Sequence, residues 1–188
     1  YSARGRPNLC TASWKARAEG TLQSGARRLS CDGMVLHHYT GLSTFAEYAV
    51  VAENSLVAIN KEVPLEIAAL FGCAVITGVG AVMNTGQVRP GDSAVVVGLG
   101  GGGLSMLLGL VASGANPIIA VDFSAEKLEL AKKLGATHCV FAGTETTVAE
   151  VHDLTQGGAD FAFEAAGSIA AMETAYALLG RGGTAISA

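Results

Sequence analysis

The sequence predicts an α/β fold: a doubly wound parallel sheet, incomplete at its C-terminal side, preceded by a smaller part built of short β-strands. Three observations predict it. From Ser93 onward, short apolar β-branched runs alternate with helix-length segments, the rhythm of strands buried on both faces and covered by crossover helices. The first of those runs breaks off into a glycine turn, Gly98-Leu99-Gly100-Gly101-Gly102-Gly103, and the second ends in Asp122. Before residue 60 the pattern differs, with short strand-like runs separated by turn residues.

Taken in order, Tyr1 to about Ser30 reads as polar, irregular loop, with Arg4, Arg6, Lys15, Arg17, Arg27 and Arg28 among small residues. Met34-Val35-Leu36, Thr44 to Val51 and Leu56 to Ile59 read as strands of an antiparallel pattern. Pro64 fits a first helical position, so Leu65 to Phe71 is expected to be a short helix. A second helix from about Cys73 to Asn84 is nearly all apolar and therefore expected to be buried. Val88 to Asp92 is a turn that delivers the chain into the first sheet strand, which ends at Val97. Leu104 to Ser113 is a helix closed by Gly114, and Pro117 to Asp122 the next strand. Ser124 caps a helix whose Leu128, Leu130, Ala131 and Leu134 face the sheet, with Gly135 at its end. His138 to Phe141 follows as a strand. A capping box at Thr147-Val148-Ala149-Glu150 starts a helix that Gly157 and Gly158 stop. Asp160 to Ala165, Ser168 to Leu179 and Thr184 to Ser187 complete the series as strand, helix and strand.

The glycine turn carries the chemistry. Gly98 lets the chain leave the strand sharply, Gly100 removes a Cβ that would keep a pyrophosphate from the backbone, and Gly103 lets the helix pack closely on the sheet. Unpaired N–H groups at the helix start then face the phosphates with the positive end of the helix dipole. Asp122 stands about 20 residues on, where an acid can accept from both hydroxyls of an adenosine ribose. Two plainer alternatives exist. No charged residue lies between Asp92 and Asp122, which mimics a membrane span, but the glycine cluster and Asn116-Pro117 interrupt any such helix. The other is a glycine-rich turn that binds nothing.

The 188 residues carry a net charge of −4 and no basic stripe, which argues against nucleic acid as a partner. Cys10, Cys31, Cys73 and Cys139 have no regular spacing, so reduced thiols are expected, with metal ligation open. Tyr1 in place of methionine, and Ala188 at the end of a strand-like run, read as cuts inside a larger protein.

With these motifs in place, the chain resembles the zinc-dependent medium-chain alcohol dehydrogenases, including the glutathione-dependent formaldehyde dehydrogenase branch. The carrying residues are Gly5-Arg6-Pro7-Asn8-Leu9-Cys10, Gly20-Thr21-Leu22, His37-His38, Ser43-Thr44-Phe45-Ala46-Glu47-Tyr48, Gly72-Cys73, Thr77-Gly78 and the span from Gly98 to Asp122. The resemblance covers essentially all of this chain and about the middle half of such an enzyme. It implies a partial GroES-like substrate domain over residues 1–74 and a Rossmann dinucleotide-binding domain over 75–188, truncated at its C-terminal end. NAD and zinc are the cofactors implied. Thr77, Gly98, Leu99, Gly100, Gly101, Gly102, Gly103, Asp122 and Lys127 are the implied cofactor-binding residues. Cys73 is the implied third ligand of the catalytic zinc, and Cys10 the last cysteine of a structural zinc lobe. Ser2 stands where that lobe's preceding cysteine is expected, and Gly102 where the family usually has a valine. Cys31 and Cys139 match no ligand position and are expected to be packing residues. His37 and His38 are expected to point to opposite faces, as fold residues rather than ligands.

Asp122 followed by Phe123, with no adjacent arginine, fits NAD rather than NADP, because the carboxylate repels a 2′-phosphate. The expected activity of the parent is zinc-assisted hydride transfer between an alcohol/aldehyde pair and NAD; the 188 residues alone supply no complete catalytic set and are expected to be inactive. Two alternatives stay open: a non-catalytic dinucleotide-binding module, and a dehydrogenase of an S-(hydroxymethyl)thiol, the thiol adduct of formaldehyde. A small-molecule substrate, no nucleic acid, no membrane, a homodimer or homotetramer and a cytoplasmic location complete the expectation.

Overall fold

Strands that are apolar on both faces need a layer of helices on each side, and that requirement organises residues 61–188. The computed structural model describes residues 10–51 and 53–188, so Ser2 and the motif from Gly5 to Leu9 lie outside the described residues. The chain divides into two compact units, Tyr1–Asn60 and Lys61–Ala188. The helical run after Pro64 falls in the second unit, because it packs on that unit's own helix at Gly78.

In the first unit, α1 (Thr11–Glu19) forms where loop was expected. Its alanines, lysine and arginine are strong helix formers, Lys15 and Glu19 pair at i,i+4 (3.9 Å), and Gly20 closes it in the left-handed conformation. β1 (Leu29–Cys31) and β2 (Met34–Leu36) form an antiparallel hairpin about Asp32-Gly33. The strands expected at 44–51 and 56–59 are absent among the described residues, and Phe45, Tyr48, Val50, Leu56, Val57 and Ile59 are exposed. β-propensity expresses fit to a half-buried pleated surface, and here these runs have no strand to pair with.

In the second unit, α2 (Leu65–Leu70) and α3 (Ile76–Gly80) belong to one helical run, Leu65–Gly86, with π-helical turns at Phe71–Val75 and Ala81–Gly86. By length and hydropathy this run could cross a membrane. It is not the buried helix expected: only Gly78, Ala81 and Val82 of it are buried. β3 (Ala94–Val97) then leads through the glycine turn into α4 (Gly101–Ser113). β4 (Ile118–Asp122), α5 (Ala125–Lys133), β5 (His138–Phe141), α6 (Thr147–Thr155), β6 (Ala159–Glu164), α7 (Ile169–Ala177) and β7 (Leu179–Ser187) follow. The five strands are all parallel, in the order β5-β4-β3-β6-β7.

Two apolar layers sandwich this sheet. Val96, Ala120 and Phe163 face Leu107, Leu110 and Ala131 on one side; Val95, Ile119 and Ala162 meet Val151, Ala175 and Leu178 on the other. Three local expectations need correction. Leu130 of α5 is exposed rather than turned to the sheet. The hydroxyl that reaches Glu150 is that of Thr146 (2.7 Å), while Thr147 is buried and donates to the Phe141 carbonyl. β7 starts at Leu179, five residues ahead of Thr184 as expected from sequence, through a glycine-rich, register-shifted stretch beside Ala159.

Candidate nucleotide site

In an open parallel sheet, a ligand crevice forms at the carboxyl ends of the strands where the strand order reverses. Here that point lies between β3, whose chain crosses over to β4 on one side, and β6 on the other. The glycine turn sits there. Gly98 has φ +90°, and a Cβ on it would stand 2.7 Å from the Ala166 backbone nitrogen, so the sharp turn and the close approach both require glycine. A Cβ on Gly103 would collide with the Gly98 carbonyl, which seats α4 directly on the turn. At Gly100 and Gly102 a Cβ would meet nothing within 4 Å. The backbone is therefore open to a ligand where the first amides of α4 lack intrahelical partners.

Asp122, at the end of β4, is 9 % exposed and closes the far side. Its Oδ2 accepts from the Leu99 N–H (2.7 Å) and its Oδ1 from the Ser124 N–H (2.9 Å). Lys127 Nζ lies 3.7 Å from the same Oδ2, while the Lys127 N–H donates to the Ser124 hydroxyl (3.4 Å) that caps α5. Asp122, Lys127 and the glycine turn are thus brought together. Leu99 contributes only backbone, because its side chain is in the core.

The helical run approaches the turn from the other side. A Cβ on Gly78 would stand 2.5 Å from Ser105 Cβ and 2.6 Å from the Gly102 carbonyl oxygen, and Ala74 lies against Gly101. Cys73 and Thr77, each one residue before these contacts, share the neighbouring flank at i,i+4 and are exposed.

The arrangement can hold a phosphate on the α4 amides and a diol on Asp122, which fits a dinucleotide. Zinc fits less well. Among the described residues no group of three or more His, Cys, Asp or Glu could hold a metal ion. Cys73 is therefore one donor without a ligand set, and Cys10, half-buried, lies in the other unit. Cys31 and Cys139 are exposed, not the packing residues expected. Partial burial pushes the Cys139 thiol up, Lys132 draws it back and Glu129 adds to the rise. His37 is exposed and His38 buried, although both lie past the end of β2 rather than on a strand. The His38 Nε2 accepts from the Arg28 N–H (3.1 Å), which places the neutral ring's proton on Nδ1.

One residue at the crevice escaped sequence reasoning. Glu164 ends β6 as Asp122 ends β4, with its side chain buried. The signal was available: an acid closing the apolar run Phe161-Ala162-Phe163, followed by Ala165-Ala166-Gly167.

Residues 101–188 match the family model described as zinc-binding dehydrogenase. Over 184 residues the chain is 43 % identical to S-(hydroxymethyl)glutathione dehydrogenase of Synechocystis sp., covering 97 % of this chain and 50 % of that protein. It is 42 % identical, with the same coverage, to the protein of that name from Escherichia coli. Among solved structures, benzyl alcohol dehydrogenase from Acinetobacter calcoaceticus matches at 39 % identity and a TM-score of 0.77, over 87 % of this chain and 47 % of that one. An alcohol dehydrogenase zinc-binding domain protein from Burkholderia ambifaria matches at 33 % identity and a TM-score of 0.81, over 95 % and 52 %. The chain spans about half the length of the curated relatives it matches.

Proposed function

Because the chain belongs to the zinc-dependent medium-chain alcohol dehydrogenases, we propose that it forms the NAD-binding part, with a portion of the substrate domain, of an oxidoreductase acting on an alcohol/aldehyde pair. The observation that carries this reading is the joining of Asp122 and Lys127 to the glycine turn through the Leu99 N–H. When bound, the nicotinamide supplies the hydride acceptor. This chain's own residues do the holding: the amides of Gly101, Gly102 and Gly103 take the pyrophosphate, and Asp122 takes the ribose diol. Thr77, exposed on the flank beside α4, faces the remaining length of the cofactor. Cys73 is the residue through which this chain would contribute to a catalytic zinc, and Cys10 to a structural one; each would need ligands beyond the described residues. The domain boundary at 74/75, homodimeric or homotetrameric assembly, a non-membrane protein and a cytoplasmic location belong to the same reading and rest on the family alone.

A second reading, an S-(hydroxymethyl)thiol as substrate, is favoured by the names of the Synechocystis and E. coli relatives. Its substrate contacts are not among the residues described above.

Cofactor choice tests the reading directly. In calorimetric titration the chain is expected to bind NADH at least tenfold more tightly than NADPH. Asp122→Gly with Phe123→Arg is expected to reverse that preference, by removing the carboxylate and supplying a partner for the 2′-phosphate. Equal affinity for both cofactors, or a ratio unmoved by the double substitution, would remove Asp122 from its role.

A further inference from the structure

Glu164 is 2 % exposed, and burying a carboxyl group is costly unless hydrogen bonds compensate it. Three donors do so. Its Oε1 accepts from the Ala166 N–H (2.8 Å) and the Gly167 N–H (2.6 Å), and its Oε2 from the Ser187 hydroxyl (2.9 Å). No ion pair reaches it among the described residues. The two amides belong to the turn between β6 and α7, and that turn is the opposite wall of the crevice. The Ala166 backbone abuts Gly98, and Ala165 Cβ lies 3.5 Å from where a Cβ on Gly103 would stand. At the other end, Ser187 closes β7, and the N–H of Ala188 just beyond it donates to the Glu164 carbonyl (3.1 Å). One side chain thus fixes the turn against the glycine backbone and ties it to the next strand.

We infer that Glu164 is a positioning residue of the nucleotide site, holding the turn from Ala165 to Ser168 as the wall against which the nicotinamide half of the cofactor is seated. The side follows from topology. Asp122 marks the adenosine end on β4, β3 lies in the middle, and β6 lies beyond it. This deepens the proposed NAD-binding reading and rests on it.

Reach and charge can be separated. Glu164→Gln keeps the length: its carbonyl oxygen can accept from both amides while its NH2 donates to the Ser187 oxygen. Glu164→Asp keeps the charge but is one methylene shorter, so the acceptor withdraws from the turn. Calorimetric titration of the 188-residue chain with NADH and with AMP, beside urea midpoints, reads the result. NADH affinity is expected to stay within about threefold for Glu164→Gln and to fall about tenfold for Glu164→Asp, with AMP affinity unchanged in both, since AMP fills only the adenosine side. Amide exchange at Ala166 and Gly167 is expected to quicken in Glu164→Asp alone, while Val95 to Val97 stay protected. NADH affinity that follows charge instead of reach overturns the inference. So does an equal loss for AMP and NADH, or unchanged NADH affinity in a variant whose turn amides have lost protection; the functional reading survives each of these. A wild-type chain that takes up no NADH overturns both.

Discussion

Two helical stretches of the second unit, α4 and the run Leu65–Gly86, are both rich in apolar residues and small ones, yet they are buried very differently. α4 seats Met106, Leu107 and Leu110 in the core under the sheet. The run leaves Leu65, Ile67, Leu70, Phe71 and Ile76 exposed and commits only a narrow flank, at Ala74, Gly78 and Val82, to α4. Composition made the two look alike, but burial depends on what each helix has to pack against. α4 is a crossover helix, fixed between two adjacent parallel strands by the connections at both its ends. The run lies along α4 and meets the sheet only at its last turn, where Gly86 lies against Phe163 and Ile186, so most of its surface is left uncovered.

The largest expected effect breaks the seat of α4. Gly103→Val places a branched side chain into the Gly98 carbonyl, backbone against backbone, where no rotamer relieves it. A loss upward of about 4 kcal/mol is expected, at the exceptional end for a single substitution. Urea unfolding followed by circular dichroism should show a chain with little cooperative transition left. A midpoint near that of the wild type would mean the helix has another way to sit on the turn.

Next comes the core side of the same helix. Leu107 is fully buried, and Leu107→Ala is expected to cost about 3 kcal/mol, the sum of lost transfer energy and the cavity left behind. A shift in urea midpoint with unchanged slope checks it. A loss below about 1 kcal/mol would indicate a core that collapses around the truncation.

These two sites also mark what was legible. The sheet was read from sequence almost strand by strand, with β5 at its observed bounds, because strands buried on both faces leave unbroken runs such as Val95-Val96-Val97 and Ile118-Ile119-Ala120-Val121. The glycine turn was readable for a related reason: Gly98 and Gly103 answer a steric demand of the local chain, while Gly100 and Gly102 leave its backbone open. Asp122 and Lys127 were named for a ribose they would share; the bond from the Leu99 N–H to the Asp122 carboxylate, which ties them to the turn, is what the structure adds. Where the outcome depended on distant partners, sequence was a poor guide. Thr44 to Val51 has strand-forming residues but no strand beside it; α1 was missed for a local reason, since its helix formers carry no apolar stripe to mark them. Glu164 was missed because its value comes from two amides beyond its own strand and from Ser187, 23 positions away.

The smallest expected effect tests the comparison from the exposed side. Ile76 is 67 % exposed, one residue ahead of Thr77 and off the flank that meets α4. Ile76→Gln exchanges a β-branched residue for one with a higher helix propensity and gives up little burial, so the two terms oppose each other. The net change in unfolding free energy is expected to stay within about 0.5 kcal/mol of zero. What should change is association. A contiguous apolar surface of this kind promotes self-contact in solution, and a glutamine at its middle interrupts it. Light scattering across a concentration series should therefore show less association for Ile76→Gln than for the wild type, at an unchanged urea midpoint. A midpoint drop comparable to that of Leu107→Ala would show that Ile76 is covered in solution, and the contrast between the two helices would then have to be redrawn with both of them buried.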